Sequence, residues 1–182
     1  MTETAASPDG TLERPPDGGV IRFERRLPYP VEAVWDAITN PARLAEWWLP
    51  FDADITVELR EGGAMVFAAT SGEPPPMTCT VLRVEPPVLF EHTAFAELAE
   101  GATLRWELEA VPEGTILRLH EHIPNVDDAI AGGWLVGLHR SFARLEPALA
   151  GSPVPWDWDA LSVDWARYEE QGLAGPEPDF ER

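Results

Sequence analysis

The stretch "ATLRWELEAVPEGTILRLHEHI", residues 102–123, decides the fold. Leu104, Trp106 and Leu108 fall on one side of an extended chain, and Arg105, Glu107 and Glu109 on the other. After Pro112, Glu113 and Gly114 the alternation resumes, with Leu117 and Leu119 opposing Arg118 and His120. A period of two with one apolar and one charged face predicts an antiparallel hairpin whose second face is wet.

The same period extends upstream to residue 54. "MTCTVLRVE" (77–85) and "VLFEHTAF" (88–95) flank Pro86-Pro87, and "DITVELREGGAMVFAAT" (54–70) is two runs around Glu61-Gly62-Gly63, a hairpin signal. Further upstream, in "YPVEAVWDAITNPARLAEWW" (29–48), Val31, Val34, Trp35 and Ile38 recur at three or four behind Pro30. This predicts a helix that Asn40-Pro41 breaks, followed by one short further turn. "VIRFERRL" (20–27) reads as a first strand, and residues 1–18, interrupted by Pro8, Pro15, Pro16 and Gly18, as a flexible tail. Downstream of the hairpin, Ile130, Trp134, Leu138, Phe142, Leu145 and Leu149 form one apolar stripe on a long helix that Pro147 should kink or end. The order is one strand, two short helices, six strands and a long helix. A curved antiparallel sheet wrapped around the C-terminal helix, an α+β fold, satisfies it.

Composition narrows the function. The chain has 182 residues, 45% of them hydrophobic, enough for one well-packed domain. Acidic residues number 32 against 13 basic ones, every one an arginine. A net charge of −19 repels a phosphate backbone and an anionic bilayer, so neither nucleic acid nor an anionic membrane surface is an expected partner. No apolar run is long enough for a membrane span, and "MTETAASPDG" lacks the basic and apolar blocks of a leader, so the expected location is cytoplasmic. The absence of lysine excludes Schiff-base chemistry and a P-loop. One cysteine, Cys79, excludes an internal disulfide and cysteine-rich zinc sites, and no cofactor-binding fingerprint is present.

The stretches "YPVEAVWDAITNPARLAEWWLP", "ELREGGAMVF", "EGTILRLHEHI" and "GGWLVGLHRSFARLEPAL", in that order, resemble the START/Bet v 1-like (SRPBCC) superfamily with its helix-grip fold. More narrowly they are similar to its branch of activators of heat-shock-protein ATPase. The resemblance covers residues 19–150 and leaves 151–182 as a C-terminal extension. It implies a cavity between the concave face of the sheet and the long helix. Trp134, Leu138 and Phe142 would line that cavity from the helix, and Trp106, Leu117 and Leu119 from the sheet, with Phe67 nearby. Trp48 would sit at its mouth, while Trp47 locks the short helix onto the core. Its expected occupant is an apolar or aromatic small molecule, lipid- or polyketide-like. The alternatives in this superfamily are a cyclase, aromatase or hydrolase, and a co-chaperone-like or stress-response protein-interaction module.

Continuing the alternation, Glu121 follows Leu117 and Leu119 onto the concave face. A carboxyl group facing an apolar cavity should have a raised pKa and is the candidate ligand anchor, or the general acid or base if a reaction occurs. Glu91 could share that face, its register being open. His120 and His122 form H-x-H, a spacing metals use, but on the wet face beside Arg118, so no metal site is assigned. In the extension, Trp158, Leu161, Trp165 and Tyr168 form a helical stripe behind a cap at Asp157 or Asp159. The stripe is expected to dock on its own domain, a homodimer surface being the alternative.

Overall fold

The computed structural model describes residues 8–180. A three-residue strand, β1 (Thr11–Glu13), pairs antiparallel with β2 (Gly19–Leu27). The flexible tail read over residues 1–18 is therefore ordered from β1 onward, and its first seven residues lie outside the described ones. Three residues are too few for a period to register. Two short helices follow, α1 (Val31–Thr39) and α2 (Pro41–Leu44). Between them Asn40 ends the first and caps the second, its Oδ1 accepting from the Ala42 N–H at 3.0 Å.

The remaining strands are β3 (Ala53–Val57), β4 (Ala64–Ala69), β5 (Met77–Glu85), β6 (Leu89–Thr93), β7 (Thr103–Val111) and β8 (Gly114–Ile123). All pair antiparallel in one eight-stranded sheet of order β1-β2-β8-β7-β6-β5-β4-β3. The long-range step is β2 beside β8, in register from Gly19 opposite Ile123 to Leu27 opposite Thr115. The β7–β8 turn is tight because Gly114 has φ +138, and a Cβ there would lie 2.1 Å from the Leu27 carbonyl oxygen.

The expected faces hold. Leu104, Trp106, Leu108, Leu117, Leu119 and Glu121 are buried on the inner face. On the outer face the charges form a ladder across strands. Arg118 bridges Glu24 and Glu109, both at 2.9 Å, and Arg105 binds Glu107 at 2.7 Å. These pairs are solvated and each contributes little, about 0–1 kcal/mol, but their register suits one pairing only.

The long helix differs from its sequence reading. It is two helices, α3 (Val126–Ala131) and α4 (Trp134–Leu149), broken at Gly132-Gly133. Gly133 has φ +63, and a Cβ on it would lie 2.1 Å from the Trp165 ring. The glycine pair thus breaks the helix and lets an aromatic ring approach the backbone, neither of which a stripe of apolar residues reveals. The break also rotates the stripe. Leu135, Val136, Phe142, Leu145 and Ala148 are buried in the core, whereas Trp134 and Leu138 are half-buried on another side. Pro147 lies in the last turn, and α4 ends two residues later.

A final helix, α5 (Trp158–Glu170), is capped by Asp157, whose Oδ1 accepts from the Ala160 N–H at 2.9 Å. Its stripe is spent on its own chain. Leu161, Trp165 and Tyr168 are buried, and the Tyr168 hydroxyl accepts the Gly10 N–H at 2.8 Å, tying the N-terminal segment to α5. No helix among the described residues is long and apolar enough to cross a membrane.

Candidate functional site: an aromatic cavity with one buried carboxyl group

Trp47 and Trp48 open the site. Trp47 is fully buried, its indole N–H donating to the Ala37 carbonyl at 2.9 Å, and it stands edge-on to Trp48 and Trp106. The chain that carries both rings is held by α4. Arg144 donates to the carbonyls of Glu46, Trp47 and Leu49 at 3.1, 3.1 and 2.6 Å, and to Val154 in the extension at 2.9 Å. Ser141 Oγ donates to the Trp48 carbonyl at 2.8 Å. So anchored, Trp48 turns its ring into a cavity of about 440 Å³.

The sheet contributes Cys79, His92, Leu104 and Glu121 to this cavity, and α4 contributes Trp134, Gly137, Leu138 and Ser141. Phe95 and Leu98 close one side from the β6–β7 loop. The opposite wall belongs to the C-terminal segment, with Trp156, Trp158, Leu161, Trp165 and Phe180. Trp158 and Phe180 pack with ring centroids 5.4 Å apart, and Phe180 meets Trp165 at 5.7 Å.

The sequence-derived residues divide accordingly. Trp48, Glu121, Trp134 and Leu138 line the cavity. Phe67, Trp106, Leu117 and Leu119 face the same side of the sheet but are enclosed in the packed core. Phe142 is stacked on Phe23 at 5.1 Å and borders a separate cavity of about 620 Å³ with Arg25, Tyr29 and His139. Glu91 points outward, 3.5 Å from Arg105. Its neighbour His92 takes the inward position, a residue that the sequence reading did not place in the cavity. The signal was present: in "LFEHT" either polar residue can face in, and the two ring nitrogens of a histidine can be satisfied locally. Nδ1 donates to the Thr93 carbonyl at 2.7 Å and Nε2 accepts from the Trp106 indole at 3.1 Å. Burial lowers the His92 pKa to about 4, so the ring is neutral.

Glu121 is different. It is 6% exposed, and Oε2 is buried without a hydrogen-bond partner among the described residues. Its neighbours across the sheet, Ile21 and Leu104, are apolar, and burial alone pushes its pKa up to about 8. The Trp156 indole N–H is likewise buried without a partner among the described residues. Burial pushes the Cys79 thiol up to about 12, which removes it as a nucleophile. On the outer face His120 lies 3.2 Å from Arg22, and no cluster of three or more metal-ligating side chains occurs among the described residues.

Residues 28–150 match the family described as Activator of Hsp90 ATPase homolog 1-like protein. The chain belongs to that family. No curated protein matches it. Among solved structures, CalU16 from Micromonospora echinospora is similar, with a TM-score of 0.66 at 23% identity over 92% of this chain and 98% of that one. A Mesorhizobium loti protein gives 0.61 at 26% over 74% and 99%, and a Rhodobacter sphaeroides protein 0.64 at 20% over 79% and 99%. Within this Hsp90-activator-like family the cavity has two origins. The matched region supplies Trp48, His92, Leu104, Glu121, Trp134 and Leu138, while the C-terminal aromatic wall lies wholly outside it. CalU16 aligns over more of the chain than residues 1–150 alone could supply, so its fold likeness reaches into that segment.

Proposed function

We propose that the protein binds an apolar or aromatic small molecule in this cavity. The observation that carries the reading is an apolar, ring-lined space of about 440 Å³ with one buried carboxyl oxygen lacking an internal partner. Leaving such an atom unsatisfied costs about 1–3 kcal/mol. A ligand that fills the space and meets it recovers that cost while adding apolar burial, the usual composition of a small-molecule site. The unpartnered Trp156 indole supplies a donor at the extension's side. The proposed carrier or receptor is cytoplasmic.

The test is native mass spectrometry of the freshly purified chain, followed by solvent extraction and calorimetric titration with N-phenyl-1-naphthylamine, an uncharged aromatic probe. A stoichiometric adduct, or saturation at one probe per chain, is expected. Leu138→Trp, which fills the space from α4, should abolish it. A clean mass together with no probe binding would reduce the cavity to a packing defect.

Acid–base catalysis by Glu121 is the second reading, favoured by a carboxyl group held protonated near neutrality in an apolar site. It ranks lower because both His92 nitrogens are engaged and Ser141 Oγ donates to backbone, leaving no evident second group. The protein-interaction reading rests on the family description alone.

A further inference from the structure

We infer that the cavity's ligand is an organic cation, an apolar body bearing an ammonium group that sits against Glu121 among the rings of the C-terminal segment. The inference rests on the small-molecule reading above and names its chemical class.

Three features of the cavity converge on a positive charge. The first is the lining itself. No arginine among the described residues lines it, and its titratable groups there are Glu121 on β8, His92 on β6 and Cys79 on β5, with none from α4 or the described C-terminal segment. His92 is neutral with both nitrogens engaged, and Cys79 stays a thiol. Glu121 is therefore the one group able to carry a charge near neutrality, and that charge is negative. The second is the partner it lacks. Oε2 is more than nine-tenths buried and unbonded among the described residues, so a cation supplies what an uncharged ligand does not, a counter-charge in a low-dielectric site. The third is the wall. Trp48, Trp134, Trp158, Trp165 and Phe180 present aromatic rings to the same space, and the negative faces of such rings attract ammonium groups. Outside, a net charge of −19 raises the local concentration of cations at the mouth.

The ionisation state gives this assignment a signature. A cation is held by the carboxylate, so its binding expels the Glu121 proton and its apparent affinity tracks the ionised fraction. With a pKa of about 8, that fraction rises roughly tenfold per pH unit from 6 and levels off above 8. A neutral ligand accepting the Glu121 O–H shows the opposite dependence, weakening above pH 8.

The experiment is calorimetric titration of the full chain between pH 6 and 9 with naphthylmethyl-trimethylammonium, whose charge does not titrate, and with its neutral tert-butyl isostere. The ammonium compound is expected to bind about tenfold or more tightly than the isostere at pH 8, tightening about tenfold between pH 6 and 7. Glu121→Gln should remove both effects, bringing the ammonium compound to the affinity of its isostere at every pH. Equal affinities for the pair at pH 8, or an ammonium affinity independent of pH, overturn the cation and leave the cavity reading intact. Binding of neither probe removes the cavity reading itself. The wild-type pH series stands without the variant, should that fail to fold.

Discussion

At the scale of single residues, Glu121 and His92 set how stability depends on pH. Glu121 binds its proton more tightly folded, pKa about 8, than at its ordinary 4.5. Stability from this group is fully present below 4.5 and is lost as pH rises to 8, by about 4–5 kcal/mol in all. His92 has the reverse sign: its pKa falls from 6.5 to about 4, so its stability is present above 6.5 and lost as pH falls toward 4. Between 4.5 and 6.5 the two slopes cancel. Thermal denaturation should therefore show a shoulder there and a decline between 6.5 and 8 that Glu121→Gln abolishes. A wild-type melting temperature still flat across 6.5–8 would contradict the buried carboxyl. Trp47 gives a second residue-scale expectation. Trp47→Phe keeps an aromatic ring but strips the Ala37 carbonyl of its donor, which should cost about 1–3 kcal/mol in urea unfolding, against about 3–5 kcal/mol for Trp47→Ala.

Between elements, the sensitive joints are Gly133 and Arg144. Gly133→Ala places a methyl group on the Trp165 ring and strains a left-handed φ, so it should destabilise by more than the roughly 1 kcal/mol of the backbone alone. Adding Trp165→Ala should recover part of that loss, a coupling read from a double-mutant cycle by urea unfolding. Arg144→Met orphans four carbonyls from two segments and should cost about 3–5 kcal/mol, loosening the Trp48 segment and the extension together. A loss below 1 kcal/mol would mean that the segments hold without it.

Strands of alternating character announce their own faces, which is why β7 and β8 were legible and Glu121 could be placed inward from sequence. The rule is silent where two adjacent residues are polar, as at Glu91-His92, and there only the hydrogen bonds available inside decide. It is equally silent on what an inward face meets. Trp106, Leu117 and Leu119 point the right way, yet they lie under the packed core and not under the space, because the Gly132-Gly133 break and the docking of α5 fix where that space falls. Both are long-range facts. The aromatic spacing in 158–168 gave the helix and its docking, but nothing local in it signals that the segment also walls a cavity.

On the scale of the whole molecule, removing residues 151–182 strips one wall of the cavity and uncovers α4. The shortened chain should bind N-phenyl-1-naphthylamine without saturating at one site and lose solubility. A truncated chain that stays monodisperse and binds one probe tightly would place the site within residues 1–150. The pairing of β2 with β8 has a further consequence, one in time. Residues 19–27 leave the ribosome almost a hundred residues before 115–123, the partners that complete their hydrogen bonds. Until then β2 is a strand with one uncovered apolar face and an open edge, the kind of segment prone to wrong pairing. Folding must wait for β8, so the chain should be a slow, late-committing folder whose yield depends more on what shields its first strand during synthesis than on its final stability.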